Sequence, residues 1–318
     1  MPGPHGLVHA LLASLALTLA VPASAQTPQS PGDIAFEDEA IIEVTLNGVP
    51  LRLEVEPSLA GPPIVNPDII AELGLLKWSN RDINFGGRTL TGYVADAVID
   101  FGFGAQAGRV AWSPNPASTQ VDGVIGVHSL PYDRVTFALN PPQPLERPHR
   151  FKLKRKRARN YTRLGTEIRI EKKTVFIMFS RDIGPNLISA PTANFLATHR
   201  EGGFVPRSDS YVDMVFDVRR QTRDMRLAAP IVFGDLTIDR FAVRFADHGR
   251  ANKVGDIEDG DPRFSDSHIL VSRRKRQGKP DPLTHIGRDQ LARCSRLTFD
   301  LKAKMGELSC VPNPDRIE

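Results

Sequence analysis

Apolar and polar positions alternate through Ile42, Val44 and Leu46, stop at Asn47-Gly48, and resume through Val49, Leu51, Leu53 and Val55. Asn-Gly between two period-2 runs predicts a β-hairpin with a type I′ turn, because both central residues of that turn need positive φ. The pattern then changes. Glu56-Pro57-Ser58 and Gly61-Pro62-Pro63 break the alternation, the apolar pair Ile64-Val65 precedes Asn66, and 67–75 (PDIIAELGL) predicts a short helix with Pro at its start and Gly74 at its close. Alternation returns over 91–103 and again at 109–112, after a Gly-containing turn.

The second half repeats this order. Ile168 and Ile170 alternate, Glu171-Lys172-Lys173 turns, and 175–179 predicts the returning strand. Ser180-Arg181-Asp182-Ile183-Gly184 then leads to Leu187-Ile188-Ser189 and the helical pattern PTANFLAT. The two halves also end alike. Asp122-Gly123-Val124-Ile125-Gly126 and His128-Ser129-Leu130 precede 134–139, and Ile286-Gly287-Arg288-Asp289-Gln290-Leu291 precede 296–301. Leu130 and Leu291 lie 161 positions apart and Phe137 and Phe299 lie 162 apart, whereas Val65 and Ile188 lie only 123 apart. The second half therefore carries the longer middle, with expected strands at 211–218 and 231–245 and loops at 255–266 and 272–282. A repeat this long argues for two related β lobes and against a solenoid, whose periods are far shorter. A pair of immunoglobulin-like sandwiches would explain the strands, but not the same strand–turn–helix unit in both halves.

Hairpin, polar turn, apolar pair and helix, closed by Asp-Gly-Val-Ile-Gly, resemble a lobe of the pepsin/retropepsin-type aspartic proteases. The resemblance spans about Ile41 to Leu308. It implies an all-β, bilobal acid-protease-like fold of two related β-barrel lobes with short helices. It divides the chain into a lobe at 39–146 and a lobe at 164–313, joined by 147–163. In that family each lobe supplies one Asp-Thr/Ser-Gly turn, and the two acids share a proton and activate water. Here both turns are degenerate. Glu56-Pro57-Ser58 is the first counterpart; Glu is one methylene longer than Asp, and a misplacement of about an ångström can cost ~10²-fold in rate. In the second lobe, family spacing counted back from Ile188-Ser189 places Ser180 at the acid's position, whereas matching the turn itself places Asp182 there. Two functions follow. One is a catalytically degenerate protein that binds a peptide or protein segment in the inter-lobe cleft. The other is a divergent aspartic endopeptidase using Glu56 and Asp182.

Composition refines this picture. An apolar run from Leu7 to Val21, followed by Ala23-Ser24-Ala25, reads as a secretory signal over 1–25, without Lys or Arg before it. With no later long apolar run, the expectation is a periplasmic or secreted protein lacking a membrane span after cleavage. Residues 26–38 are polar and Pro/Ser/Gly-rich, and read as a disordered leader. The chain has 41 basic and 37 acidic residues, but 147–163 holds nine basic residues and no acidic one, and 273–279 holds five more. The lobes themselves are thus acidic. The basic stretches read as an exposed linker and loop, with attraction to an anionic envelope component as the functional alternative. Few aromatics interleave them and the chain reads as exported, so nucleic acid is not expected as a partner.

Cys294 and Cys310 mirror about residue 302, inside a turn, and should face each other across a hairpin as a disulfide. No Gly-x-Ser-x-Gly, His-Glu-x-x-His or phosphate-binding Gly loop occurs, and the histidines lack metal-ligand spacing, so neither metal nor cofactor is expected. His128 reads as a structural residue of the short helix.

Overall fold

The structure, a computed structural model, describes residues 31–75, 79–85, 88–158, 161–244 and 283–312. The expected signal segment and the loops at 255–266 and 272–282 lie outside these residues. Among the described residues, no helix is long and apolar enough to cross a membrane.

The fold is all-β, with two barrel-like lobes and a few short helices. The first lobe is a seven-stranded sheet that closes on itself where Ile41–Leu46 pairs with both Val49–Val55 and Arg88–Asp100. Its leading hairpin turns as the sequence predicts: Asn47 and Gly48 have φ of 50° and 85°. Asn47 also fastens the turn, since its Oδ1 accepts from the Val98 N–H at 2.9 Å and its Nδ2 donates to the Leu73 carbonyl at 3.3 Å. Ile42, Val44, Leu46, Leu51, Leu53 and Val55 all point into the core, as the alternation requires. The expected helix at 67–75 is shorter than its pattern: a 3-10 turn at Pro67–Ile69 gives way to turns ending at Gly74.

An eight-stranded sheet forms the second lobe. Its leading hairpin pairs Tyr161–Ile170 with Lys173–Phe179, and its helix runs Ala190–Arg200. Two expected strands are corrected here. The stretch 211–218 is not one strand: Gly202–Met214 ends, a 3-10 turn occupies Val215–Asp217, and Val218–Phe233 returns as the other arm of a long hairpin. The stretch 231–245 likewise breaks at Gly234, whose φ of 58° turns the chain into Leu236–Arg244.

A third, five-stranded sheet joins the lobes. Its order is Asp33–Phe36, Arg134–Ala138, Cys294–Asp300, Met305–Cys310 and Arg147–Lys152. The repeated endings meet in it, Phe137 opposite Leu297, with Phe137 and Phe299 packed edge to face at 6.1 Å. Cys294 pairs with Cys310 across the last hairpin, and the two are disulfide-bonded.

Two expectations of irregular chain fail here. Part of the leader is ordered, because Ile34 and Phe36 alternate onto a sheet edge and buried Phe36 stacks on Phe137 at 5.4 Å. The basic stretch 147–163 is not an open linker. Arg147–Lys152 pairs with Met305–Cys310, and Lys154–Ala158 pairs with Tyr161–Ile170. Phe151 and Leu153 are buried between the cations, which face outward and make ion pairs such as Arg150 with Glu307 at 2.8 Å.

Candidate functional site

The two polar turns follow equivalent strands and meet at the junction of the lobes. In the first lobe, Val55 pairs in parallel with Ile125, and the Glu56 N–H donates to the Ile125 carbonyl at 3.0 Å. In the second, Phe179 pairs in parallel with Ile286, and the Ser180 N–H donates to the Ile286 carbonyl at 2.9 Å. The exits match as well. Ile64 pairs with Ala111 and Leu187 with Ala242, and the residue before each apolar pair accepts from Ala111 or Ala242 at 2.9 and 2.8 Å. These pairings give the register that the sequence left open. Ser180 stands where Glu56 stands in the other lobe, and Asp182 lies two residues further on.

One glycine beneath each turn lets it pack this closely. A Cβ on Gly126 would lie 2.6 Å from the Leu59 carbonyl oxygen, and one on Gly287 would lie 2.3 Å from the Gly184 carbonyl oxygen. The same Gly thus sits beneath each turn, which is why the Gly of Ile-Gly recurs. His128 holds the first turn from the side: its Nε2 donates to the Gly61 carbonyl at 2.8 Å, and burial lowers its pKa. Asn66 ties the end of that turn to the loop before Gly123, accepting from Ala117 N and donating to Val121 O, both at 2.8 Å.

Glu56 is 2% exposed, and both of its oxygens are engaged. Oε1 accepts from the Ser58 N–H at 3.0 Å and from the Ser58 hydroxyl. Oε2 accepts from the Arg181 N–H at 3.0 Å, and the fully buried Ser180 hydroxyl also donates to this carboxyl. Ser180 Oγ in turn accepts from the Ile183 N–H at 3.0 Å. Burial raises the Glu56 pKa, and the hydrogen bonds from Ser58, Arg181 and Ser180 pull it back only partly. Glu56 is therefore a bridge that fastens one turn to the other.

Asp182 points to a different place. It lines a cavity of about 350 Å³ beside the turns, with Ala40, Glu54, Arg181, Arg288 and Leu291 among its walls. Withdrawal of its carboxyl from water, then the neighbouring Glu56 and Glu54 carboxylates, push its pKa up to about 9, and Arg181 opposes the shift. The residue as a whole remains exposed, and the crowding of three acids acts in the same direction, with a Glu54–Asp182 hydrogen bond that requires a proton on one of the two. The Arg181 side chain turns away, donating to the Asp38 carbonyl at 3.1 Å and lying 5.5 Å from the centre of the Phe137 ring.

Among the described residues, no group of three or more His, Cys, Asp or Glu is arranged to hold a metal ion. Sequence reasoning missed Ser58, whose role rests on bonds to Glu56 two residues away, and Asn66. A polar residue directly after an apolar pair was the available signal for the latter.

Fold and site together describe an all-β, two-lobed protein whose paired turns meet at one buried carboxylate. One solved structure to which the chain is similar is the EIAV protease complexed with the inhibitor HBY-793. The two share 13% identity, the match covers 28% of this chain and 82% of that one, and the TM-score is 0.24. A likeness at that TM-score supports nothing further about this chain. No family model and no curated protein matches it.

Proposed function

We propose that the chain is an exported, aspartic-protease-like protein that has lost the catalytic acid pair and binds a peptide or protein segment in its inter-lobe cleft. One observation carries this reading: the position equivalent to Glu56 holds Ser180. A shared proton and an activated water need two carboxylates facing each other. Here one carboxylate meets two hydroxyls and two backbone N–H groups, which occupy the acceptor sites a water would need. A cleft stripped of its acids can still hold an extended chain through backbone bonds and apolar pockets. The outward-facing cations of 147–157 offer a surface for an anionic envelope component.

A second reading has its own support. Asp182 is crowded against Glu56 and Glu54, and pairs of acids with displaced pKa values are a mark of acid–base sites. It would make the protein an endopeptidase with Glu56 and Asp182 as its acids.

Incubation of the purified protein with an unbiased peptide pool, from acid to neutral pH, separates the two. We expect binding without cleavage. Cleavage that pepstatin inhibits and that either Glu56→Gln or Asp182→Asn abolishes would replace our reading with the endopeptidase.

A further inference from the structure

The second lobe's long hairpin, Gly202–Met214 with Val218–Phe233, carries a tip that does not stay in its own lobe. Phe216 is fully buried, in an apolar cluster otherwise built mostly from the first lobe: Leu59, Ile64, Ala111, Ala117 and Val124. These residues come from the first turn, the strands that frame it and the loop before Gly123. The Phe216 carbonyl accepts from Asn115 Nδ2, also in the first lobe, at 3.2 Å. Its backbone has φ 67° and ψ 26°, a left-handed conformation that an aromatic residue holds only where its surroundings impose it.

The second lobe has the matching pocket. Ile183, Leu187 and Ala242 are the pseudo-symmetric counterparts of Leu59, Ile64 and Ala111, and they cluster with Val212, while Met214 packs against both groups. One segment, 212–216, therefore reaches from one pocket to the other across the junction of the lobes. It places an aliphatic side chain, Val212, in the second-lobe pocket and an aromatic one, Phe216, in the first.

We infer that the first-lobe pocket of Leu59, Ile64, Ala117 and Val124 is a binding pocket for the aromatic side chain of an incoming peptide, and that Phe216 fills it as an internal ligand. This inference rests on the peptide-binding reading above and adds to it a preferred residue class and a gate. Asn115 supplies the main-chain contact and the apolar wall supplies the side-chain contact, so an external Phe competes with Phe216 for both. Peptide affinity is then reduced by the fraction of molecules whose tip is seated.

The test uses the full chain, native and Phe216→Ala, with two fluorescein-labelled octapeptide pools that differ in Phe or Ala at one central position. The expected result is about tenfold or greater tightening of the Phe pool on Phe216→Ala, with no gain for the Ala pool. Equal binding of the Phe pool to both proteins, or equal gains for both pools, overturns the gate while leaving peptide binding intact. If neither pool binds either protein, the peptide reading fails, and N-acetyl-phenylalanine amide followed by ligand-observed NMR decides the pocket. Contact with Phe216→Ala but not with the native chain upholds an aromatic pocket, and contact with neither overturns it. Should Phe216→Ala fail to fold, Phe216→Leu keeps an apolar tip that fills less of the aromatic pocket and leaves Asn115 in place. It is expected to speed amide exchange at 215–217 and to tighten the Phe pool, and no change in either would count against the proposal.

Discussion

The Arg181 N–H donates to Glu56 Oε2 at 3.0 Å, so a backbone group of the second lobe completes the hydrogen bonding of a buried acid in the first. The two residues are 125 positions apart, and each belongs to the turn that its own lobe presents at the junction. The contact leads directly to a stability prediction.

Glu56→Ala leaves two N–H groups and two hydroxyls without their shared acceptor, in a site closed to water. Unsatisfied buried donors are costly, and we expect a loss of about 2–4 kcal/mol in denaturant unfolding. Glu56→Gln keeps one acceptor but turns an amide NH₂ towards donors, so it should fall between Ala and the native chain. A loss below about 1 kcal/mol for Glu56→Ala would show that the carboxylate does not fasten the turns.

The pH dependence of stability has a defined sign. Asp182 is raised to about 9, so between the ordinary carboxylate range and about 9 the folded state holds a proton that the unfolded chain releases, and Glu56 shifts in the same direction. The contribution of Asp182 to stability is complete at low pH and is lost as pH rises through that window. Thermal midpoints of the native chain should fall from pH 5 to pH 9. Asp182→Asn should flatten this slope, and an unchanged slope in that variant would remove Asp182 as its source.

Gly287→Ala tests the packing beneath the second turn. Its Cβ would lie 2.3 Å from two backbone carbonyl oxygens, of Gly184 and Pro185, which no side-chain rotation can relieve. We expect a loss of about 2 kcal/mol or more, within the range of core overpacking. Stability equal to native in urea titration would mean that the turn moves freely.

The disulfide closes a loop with a sequence separation of 16. Loop entropy for a closure of that length predicts that the Cys294→Ser, Cys310→Ser double variant loses about 3 kcal/mol at most. Alkylation of the unreduced native protein followed by mass spectrometry should find no free thiol, and labelling at either cysteine would contradict the bond.

Much of this architecture is written locally. Asn47-Gly48 between two period-2 runs determined the first hairpin, because positive φ and alternation are properties of neighbouring residues. Cys294 and Cys310 were placed opposite each other by the same logic, a short turn between two arms, although the arms differ by one residue that a register shift between Cys294 and Arg296 absorbs. The repeated Ile-Gly endings marked two lobes, since a Gly under each turn is a requirement that both lobes share. What the sequence left open depends on partners far along the chain. Whether Ser180 or Asp182 faces Glu56 is decided by the parallel pairing of Phe179 with Ile286, and a two-residue slip in such a pairing keeps every side chain on its face and is invisible to periodicity. The basic stretch read as a linker because its charges dominate its composition, yet sheet edges far away in sequence supplied backbone partners for it, and Phe151 found a core. Phe216 looked like one more strand residue. Only the tertiary structure brings it across the lobes, because the pocket that imposes its left-handed backbone is built from residues a hundred positions away.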